Sequence, residues 1–152
     1  MKAGDSVADF ALPDQTGKTR RLSDLLGSGP VVLFFYPAAM TYGCTKESCH
    51  FRDLKAEFDE VGAQRVGISA DPVDKQLQFA QKHNFDYPLL SDVDRAVAET
   101  FGVKRRSNLL RVKRSTFVID TDRTLIAQFH SEVSMNSHAD KALKILRSRQ
   151  PH

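Results

Sequence analysis

Cysteine is scarce in this chain: two residues, Cys44 and Cys49, among 152. That excludes a secreted disulfide scaffold. In a reducing compartment such a pair points instead to catalysis, redox sensing or metal binding. Charge of one sign is equally thin. Lysine and arginine number 22 against 19 acids, a formal charge of +3, too small a bias to argue for a nucleic-acid partner. Long apolar runs are missing as well. No stretch of about 18 uninterrupted apolar residues occurs, so no membrane span is expected. The opening ten residues carry no apolar core of a signal peptide, and the expected location is the cytoplasm. No internal repeat or low-complexity tract is apparent. What is present, 41% hydrophobic and 27% charged residues, suits an ordinary globular protein, with residues 1–152 expected to form one domain.

Local patterns set an order of elements. Phe10-Ala11-Leu12 and Thr19-Arg20-Arg21-Leu22 flank a turn at Pro13-Asp14-Gln15-Thr16-Gly17 and predict a β-hairpin. Ser23 is placed to cap a short helix ending at Leu26. Val31-Val32-Leu33-Phe34-Phe35-Tyr36 is apolar on both faces, as a central strand under two layers of helices would be. A helix is expected over residues 42–61, with Phe51, Leu54 and Phe58 on one apolar face. A strand at 65–69, a helix from Asp71-Pro72 to about His83, a short strand at 87–90 and a helix at 92–101 follow. Residues 104–113 are basic and aperiodic and read as a loop. A hairpin around Thr121-Asp122-Arg123 and a helix at about 137–147 complete the chain. This order predicts an α/β, thioredoxin-like fold, with a central mixed sheet flanked by helices and an N-terminal β-hairpin.

The chemistry concentrates at Pro37-Ala38-Ala39-Met40-Thr41-Tyr42-Gly43-Cys44. Cys44 falls in the first turn of a helix at the end of a buried strand, where backbone N–H groups and the helix dipole favour a thiolate. Thr41 lies where its hydroxyl can donate to that thiolate or hold a peroxide oxygen beside it. Pro37 fixes the exit from the strand and removes one donor from the loop. A cation must come from elsewhere, and the basic loop offers Arg111, Lys113 and Arg114. Cys49 brings a constraint. In a regular helix its Cα stands about 8–9 Å from that of Cys44, and a disulfide tolerates only about 7 Å. If the two thiols react, the first turns around Cys44 must unwind.

Pro37, Thr41 and Cys44 fit the Pro-x-x-x-Thr-x-x-Cys signature of peroxiredoxins, and Cys49 resembles the second cysteine of the Q-type, or bacterioferritin-comigratory-protein, subgroup. The resemblance extends through Lys2-Ala3-Gly4-Asp5, Phe35-Tyr36-Pro37, Gly67-Ile68-Ser69, Leu89-Leu90-Ser91-Asp92, Phe101-Gly102-Val103 and Arg114-Ser115-Thr116-Phe117. It implies a thiol-dependent peroxidase acting on hydrogen peroxide and organic hydroperoxides without metal or organic cofactor. Cys44 would attack the O–O bond and become a sulfenic acid. Cys49 would resolve it as an intramolecular disulfide, which thioredoxin or a similar dithiol would reduce. Thr41 and the Cys44 N–H would hold the peroxide oxygens, Arg114 would stabilise thiolate and developing charge, and Glu47 would orient Arg114. The resemblance also leans to a monomer, with a dimer as the alternative. The chain departs from the family at Tyr42, which stands where proline is usual. Tyrosine relaxes the restraint on Thr41 and adds bulk at the peroxide entrance, so easier unwinding and a narrower entrance are expected.

Plainer roles exist for each residue. Cys44 and Cys49 can be small buried apolar groups, Thr41 an N-cap, Pro37 a strand terminator, Arg114 a solvated loop end and Glu47 a first-turn acid favoured by the dipole. Lys104, Arg105, Arg106, Arg111 and Lys113 read as a solvated face, with docking of an acidic partner as the alternative. Met40 reads as packing near the site. His50 beside Cys49 invites a zinc site, but the spacing fits no common zinc motif. A dithiol–disulfide oxidoreductase is disfavoured because four residues, not two, separate the cysteines. A peroxide-sensing redox switch is the remaining rival.

Overall fold

The computed structural model describes residues 1–106, 111–131 and 136–149. A hairpin of β1 (Ala11–Pro13) and β2 (Thr19–Arg21) leads to α1 (Leu22–Leu26) and β3 (Val31–Phe35). Helices α2 (Tyr42–Asp53) and α3 (Lys55–Glu60) precede β4 (Gln64–Ser69), α4 (Val73–His83) and β5 (Leu89–Ser91). Then come α5 (Ala96–Thr100), β6 (Ser115–Ile119), β7 (Leu125–His130) and α6 (Ser137–Ser148). Five strands form a mixed sheet in the order β5-β4-β3-β6-β7. Within it β4 runs parallel to β3 and β5, and β6 runs antiparallel to β3 and β7. The fold is thioredoxin-like, with the N-terminal hairpin as a separate ribbon.

Because successive strand residues point to opposite faces, β3 divides its side chains between two cores. Val32 and Phe34, with Tyr36 just beyond, pack with Phe51, Phe58, Phe79 and Leu143. Val31, Leu33 and Phe35 pack with Leu22, Val97, Phe101 and Phe117. All five β3 residues are buried, which explains the unbroken apolar run. Gly67 of β4 makes room for this packing: a Cβ there would stand 2.8 Å from Leu89 Cδ2 and 3.1 Å from Phe34 Cζ.

Several elements depart from the sequence expectation. Ser23 lies inside α1, and Asp9 caps the helix instead: its carboxylate accepts both the Ser23 N–H and the Ser23 hydroxyl at 2.9 Å. The helix expected over residues 42–61 breaks at Leu54 (φ −93°, ψ 20°). There Arg65 of β4 donates to the carbonyls of Phe51 at 3.0 Å and Arg52 at 3.4 Å, groups a continuing helix would have used. Helix α5 is shorter than expected because the Asp92 carboxylate takes the N–H groups of Val97 and Ala98 at 3.2 and 2.9 Å, leaving 92–95 as a turn. The flanks of the basic loop are paired: Lys104 bridges Val112, and Lys113 N–H donates to Val103 at 2.8 Å. The loop's middle, residues 107–110, lies outside the described residues. Among the described residues no helix is long and apolar enough to cross a membrane.

Candidate active site

The central strand β3 ends at Phe35, and the chain turns through residues 37–41 onto α2. Pro37 is buried at the strand exit, and its carbonyl accepts a hydrogen bond from Arg111 at 3.2 Å. Met40 makes the turn with φ 67°. Thr41 precedes the first helical residue in an extended conformation, φ −85° and ψ 159°. Its hydroxyl donates back to the Ala38 carbonyl at 2.8 Å, so the side-chain cap does not form. That bond uses the hydroxyl proton and leaves the oxygen as an acceptor. Met40 and Tyr42 are 41% and 85% exposed. Met40 is therefore only partly packed, and the Tyr42 side chain stands largely in solvent at the first position of α2.

Cys44 lies in the first turn of α2, only 1% exposed. Arg114, placed immediately before β6, donates from Nη2 to Cys44 Sγ at 3.1 Å and from Nη1 to Glu47 Oε1 at 2.9 Å. Cys44 and Glu47 share one helix face at three residues' spacing, which lets one guanidinium reach both. Glu47 is fully buried and Arg114 nearly so. Arg114 is therefore not the solvated loop end of its plainer reading, and Glu47 is not an exposed acid but a buried partner of that arginine. Burial alone would lower the Arg114 pKa, but Glu47 and Cys44 outweigh it and hold the guanidinium above its ordinary value. Of the three cations the sequence offered, Arg114 is the one at the sulfur; Lys113 is exposed.

Arg111 has a different place. It is half-buried rather than part of a solvated face, and besides Pro37 it binds Asp71 Oδ1 at 3.0 Å. Asp71, which sequence reasoning took only for a helix start, is buried and accepts the Ala39 N–H at 2.7 Å and the Ser69 hydroxyl at 2.6 Å. Burial pushes the Asp71 pKa up, yet these hydrogen bonds together with Arg111 hold it below the usual carboxylate range.

His138 of α6 is a second residue the sequence did not point to. Its Nδ1 lies 3.9 Å from Glu47 Oε2 and 2.8 Å from Thr116 Oγ1, and its Nε2 lies 3.1 Å from the Ser131 carbonyl. A carbonyl can only accept, so Nε2 carries the proton and Nδ1 accepts from Thr116. Burial holds the His138 pKa below its ordinary value despite the upward pull of the Ser131 carbonyl.

Cys49 lies further along α2, half-buried against the core. Burial pushes its thiol pKa up, with Arg52 pulling down and Asp53 pushing up. Both cysteines are free thiols. Within one regular helix their Cα atoms are held about 8–9 Å apart, out of disulfide reach. The far half of α2 is pinned: Tyr87 donates its phenol to the Ser48 carbonyl at 2.7 Å, and Arg65 holds those of Phe51 and Arg52. His50 pairs with Asp140 at 2.8 Å. Among the described residues no three His, Cys, Asp or Glu side chains gather as a metal-binding group. A surface cleft of about 310 Å³, lined by Glu99, Gly102, Lys104, Arg105 and Arg106, includes none of the residues around Cys44.

Residues 3–128 match the AhpC/TSA family. The chain is similar to peroxidoxin BcpB from Mycobacterium tuberculosis, with 65% identity, a TM-score of 0.96 and 99% of each chain covered. It is 38% identical over 152 residues to the peroxiredoxin Bcp of Bacillus subtilis, covering 97% of this chain and 96% of that one. A third relative is the bacterioferritin comigratory protein of Xanthomonas campestris, whose alkyl peroxide reduction activity has been examined. It shows 31% identity and a TM-score of 0.83 over 91% of this chain and 90% of that one. A buried thiol held by a buried arginine is thus embedded in a chain that belongs to the AhpC/TSA family, a peroxiredoxin of the Bcp or Q type and hence a thiol-dependent peroxidase.

Proposed function

We propose that the chain is a single-domain, two-cysteine peroxidase in which Cys44 attacks the peroxide and Cys49 resolves the product. The observation that carries this reading is the contact of Arg114 Nη2 with Cys44 Sγ at 3.1 Å, with Glu47 fixing the same guanidinium from behind. The Cys44 thiolate attacks one oxygen of hydrogen peroxide or an organic hydroperoxide. An S–O bond forms as the O–O bond breaks, and the departing oxyanion takes a proton from solvent to leave as water or alcohol. Arg114 offsets negative charge first on sulfur and then on the departing oxygen. The Thr41 oxygen, its own proton given to Ala38, accepts from the peroxide O–H while the Cys44 N–H faces the other oxygen. Pro37 holds the strand exit from which this loop begins.

In the second step the Cys49 thiolate attacks the sulfur of the Cys44 sulfenic acid. The S–S bond forms, hydroxide leaves and is protonated to water, and α2 unwinds around Cys44 to allow it. Thioredoxin or a similar dithiol then supplies two electrons and two protons to restore both thiols. Such recycling fits a monomer in the reducing cytoplasm acting without metal, nucleic acid or membrane.

The test is peroxide consumption in a thioredoxin-recycling assay with wild type, Cys44→Ser and Cys49→Ser. Turnover is expected to vanish in Cys44→Ser, while Cys49→Ser consumes one equivalent and then stops. No consumption by wild type with thioredoxin or a small dithiol would overturn the reading.

A further inference from the structure

We propose that Asp71 and Arg111 are positioning residues that clasp the loop at 37–41 and set the balance between oxidation of Cys44 and its release toward Cys49; the inference rests on the two-cysteine reading above. The loop has no secondary structure of its own, yet it must place Thr41 and the first turn of α2 against Arg114. Asp71 holds it by the Ala39 N–H at 2.7 Å, and Arg111 holds it by the Pro37 carbonyl at 3.2 Å. The two holders bind each other at 3.0 Å, closing a ring of three contacts around the base of the loop.

The clasp has a buried root. Ser69 donates its hydroxyl to Asp71 at 2.6 Å and accepts from Gln76 Nε2 at 2.9 Å. Gln76 also accepts the Tyr36 phenol at 2.5 Å and donates to the Leu90 carbonyl at 2.9 Å. Tyr36, Ser69, Asp71 and Gln76 are all buried. The network thus ties the loop to β4, β5, α4 and the residue that follows β3. Polar groups so enclosed are strong as a set and costly to leave half-satisfied, which makes them rigid. The polar partners of Asp71 are Ala39, Ser69, Arg111 and, at 3.6 Å, Lys75 rather than Cys44, so it acts through the loop.

Arg111 and Arg114 lie three residues apart in one segment, itself held by Lys104 pairing with Val112 and by Val103 accepting from Lys113 at 2.8 Å. One arginine of that segment fixes the start of the loop, and the other fixes the cysteine at its end. The clasp therefore sets Thr41 and Cys44 in register with the cation. It also opposes the unwinding that Cys44 needs in order to meet Cys49. Removing it should slow the step that needs the assembled pocket and spare or speed the step that needs the pocket apart. A residue that only stabilised the fold would not split the two.

The experiment is rapid quenching of the full chain with an alkylating agent and mass spectrometry of the thiol, sulfenic and disulfide forms. Oxidation is read in a Cys49→Ser background and disulfide formation in the two-cysteine protein. Asp71→Asn and Arg111→Met are compared with wild type, and Arg111→Lys serves as the conservative rescue. Both main variants are expected to oxidise at least ~10-fold more slowly, in line with the cost of a misplacement of about 1 Å. Disulfide formation should be unchanged or faster, and Arg111→Lys should recover part of the oxidation rate. If oxidation is unaffected, or both steps slow together, the clasp is overturned. Should Asp71→Asn fail to fold, the half-exposed Arg111→Met decides alone. Failure of the wild type to form a sulfenic acid with peroxide would instead remove the two-cysteine reading, and the clasp with it.

Discussion

Arg114 and Cys44, 70 residues apart in sequence, meet with guanidinium nitrogen and sulfur 3.1 Å apart, both nearly sealed from solvent. A hydrogen bond to an ionised sulfur in such surroundings is stronger than in water, because little else competes for the charge. The same guanidinium holds Glu47, so its position is set before any substrate arrives.

Arg114→Met should therefore lower the rate constant for oxidation of Cys44 by roughly 10²–10³, the usual cost of losing one preorganised donor to developing charge. Arg114→Lys should fall between the two, since a single ammonium cannot hold sulfur and carboxylate in one fixed fork. Pseudo-first-order oxidation at several peroxide concentrations measures both. A loss under threefold in the methionine variant would remove Arg114 from the mechanism.

His138 ties stability to pH. Its folded-state pKa is held below the ordinary 6.5, chiefly by burial. Between those two values the unfolded chain binds the extra proton and the folded chain does not, so stability is fully present above about pH 6.5 and falls as pH drops below it. His83 and His130 are also lowered by burial and share the effect. Urea midpoints at pH 7.5 and 5.5 should differ in wild type and differ less in His138→Gln. An equal pH slope in the variant would sink the assignment.

Tyr42→Pro should slow disulfide formation and leave oxidation unchanged. Tyr42 is the first residue of α2 with its ring in solvent, and Thr41 already holds the extended conformation a following proline demands. Proline there stiffens the helix start by about 0.4–1 kcal/mol, enough for a two- to fivefold slower unwinding. An unchanged rate of disulfide formation in quench-flow would show that the first turn does not limit that step.

Gly67→Ala tests the sheet beneath the site. The new methyl would meet Leu89 Cδ2 at 2.8 Å, Phe34 Cζ at 3.1 Å and Tyr36 Cε1 at 3.2 Å. Overpacking of this kind costs about 1–3 kcal/mol, read as a lower urea midpoint. A midpoint equal to wild type would mean that the rings move aside without penalty.

What was legible in the sequence was what depends on neighbours in the chain. The β3 run, the hairpin around residue 122 and the strand-to-helix setting of Cys44 each declare themselves within about ten residues. What escaped depends on distant partners. Asp9 took the capping role expected of Ser23, and Arg65 ended α2 at a place where the apolar spacing of Phe51, Leu54 and Phe58 gave no warning. Asp71 and His138 look like any first-turn acid and any helix histidine until the fold brings Ala39 to one and Glu47 to the other. The position of Arg114 was legible only through family resemblance, because no local pattern separates it from Arg111 and Lys113.

The pinning of α2 at the carbonyls of Ser48, Phe51 and Arg52 has a kinetic consequence. In the two-cysteine cycle proposed above, it would leave Cys49 as a stationary target and Cys44 as the travelling end of a very short tether. Such a tether confines the sulfenic acid near its target at an effective concentration on the order of millimolar or above. A dilute external thiol competing for the same sulfur would meet it far less often, so in that proposed cycle the first oxidation product would be kept within the chain that made it.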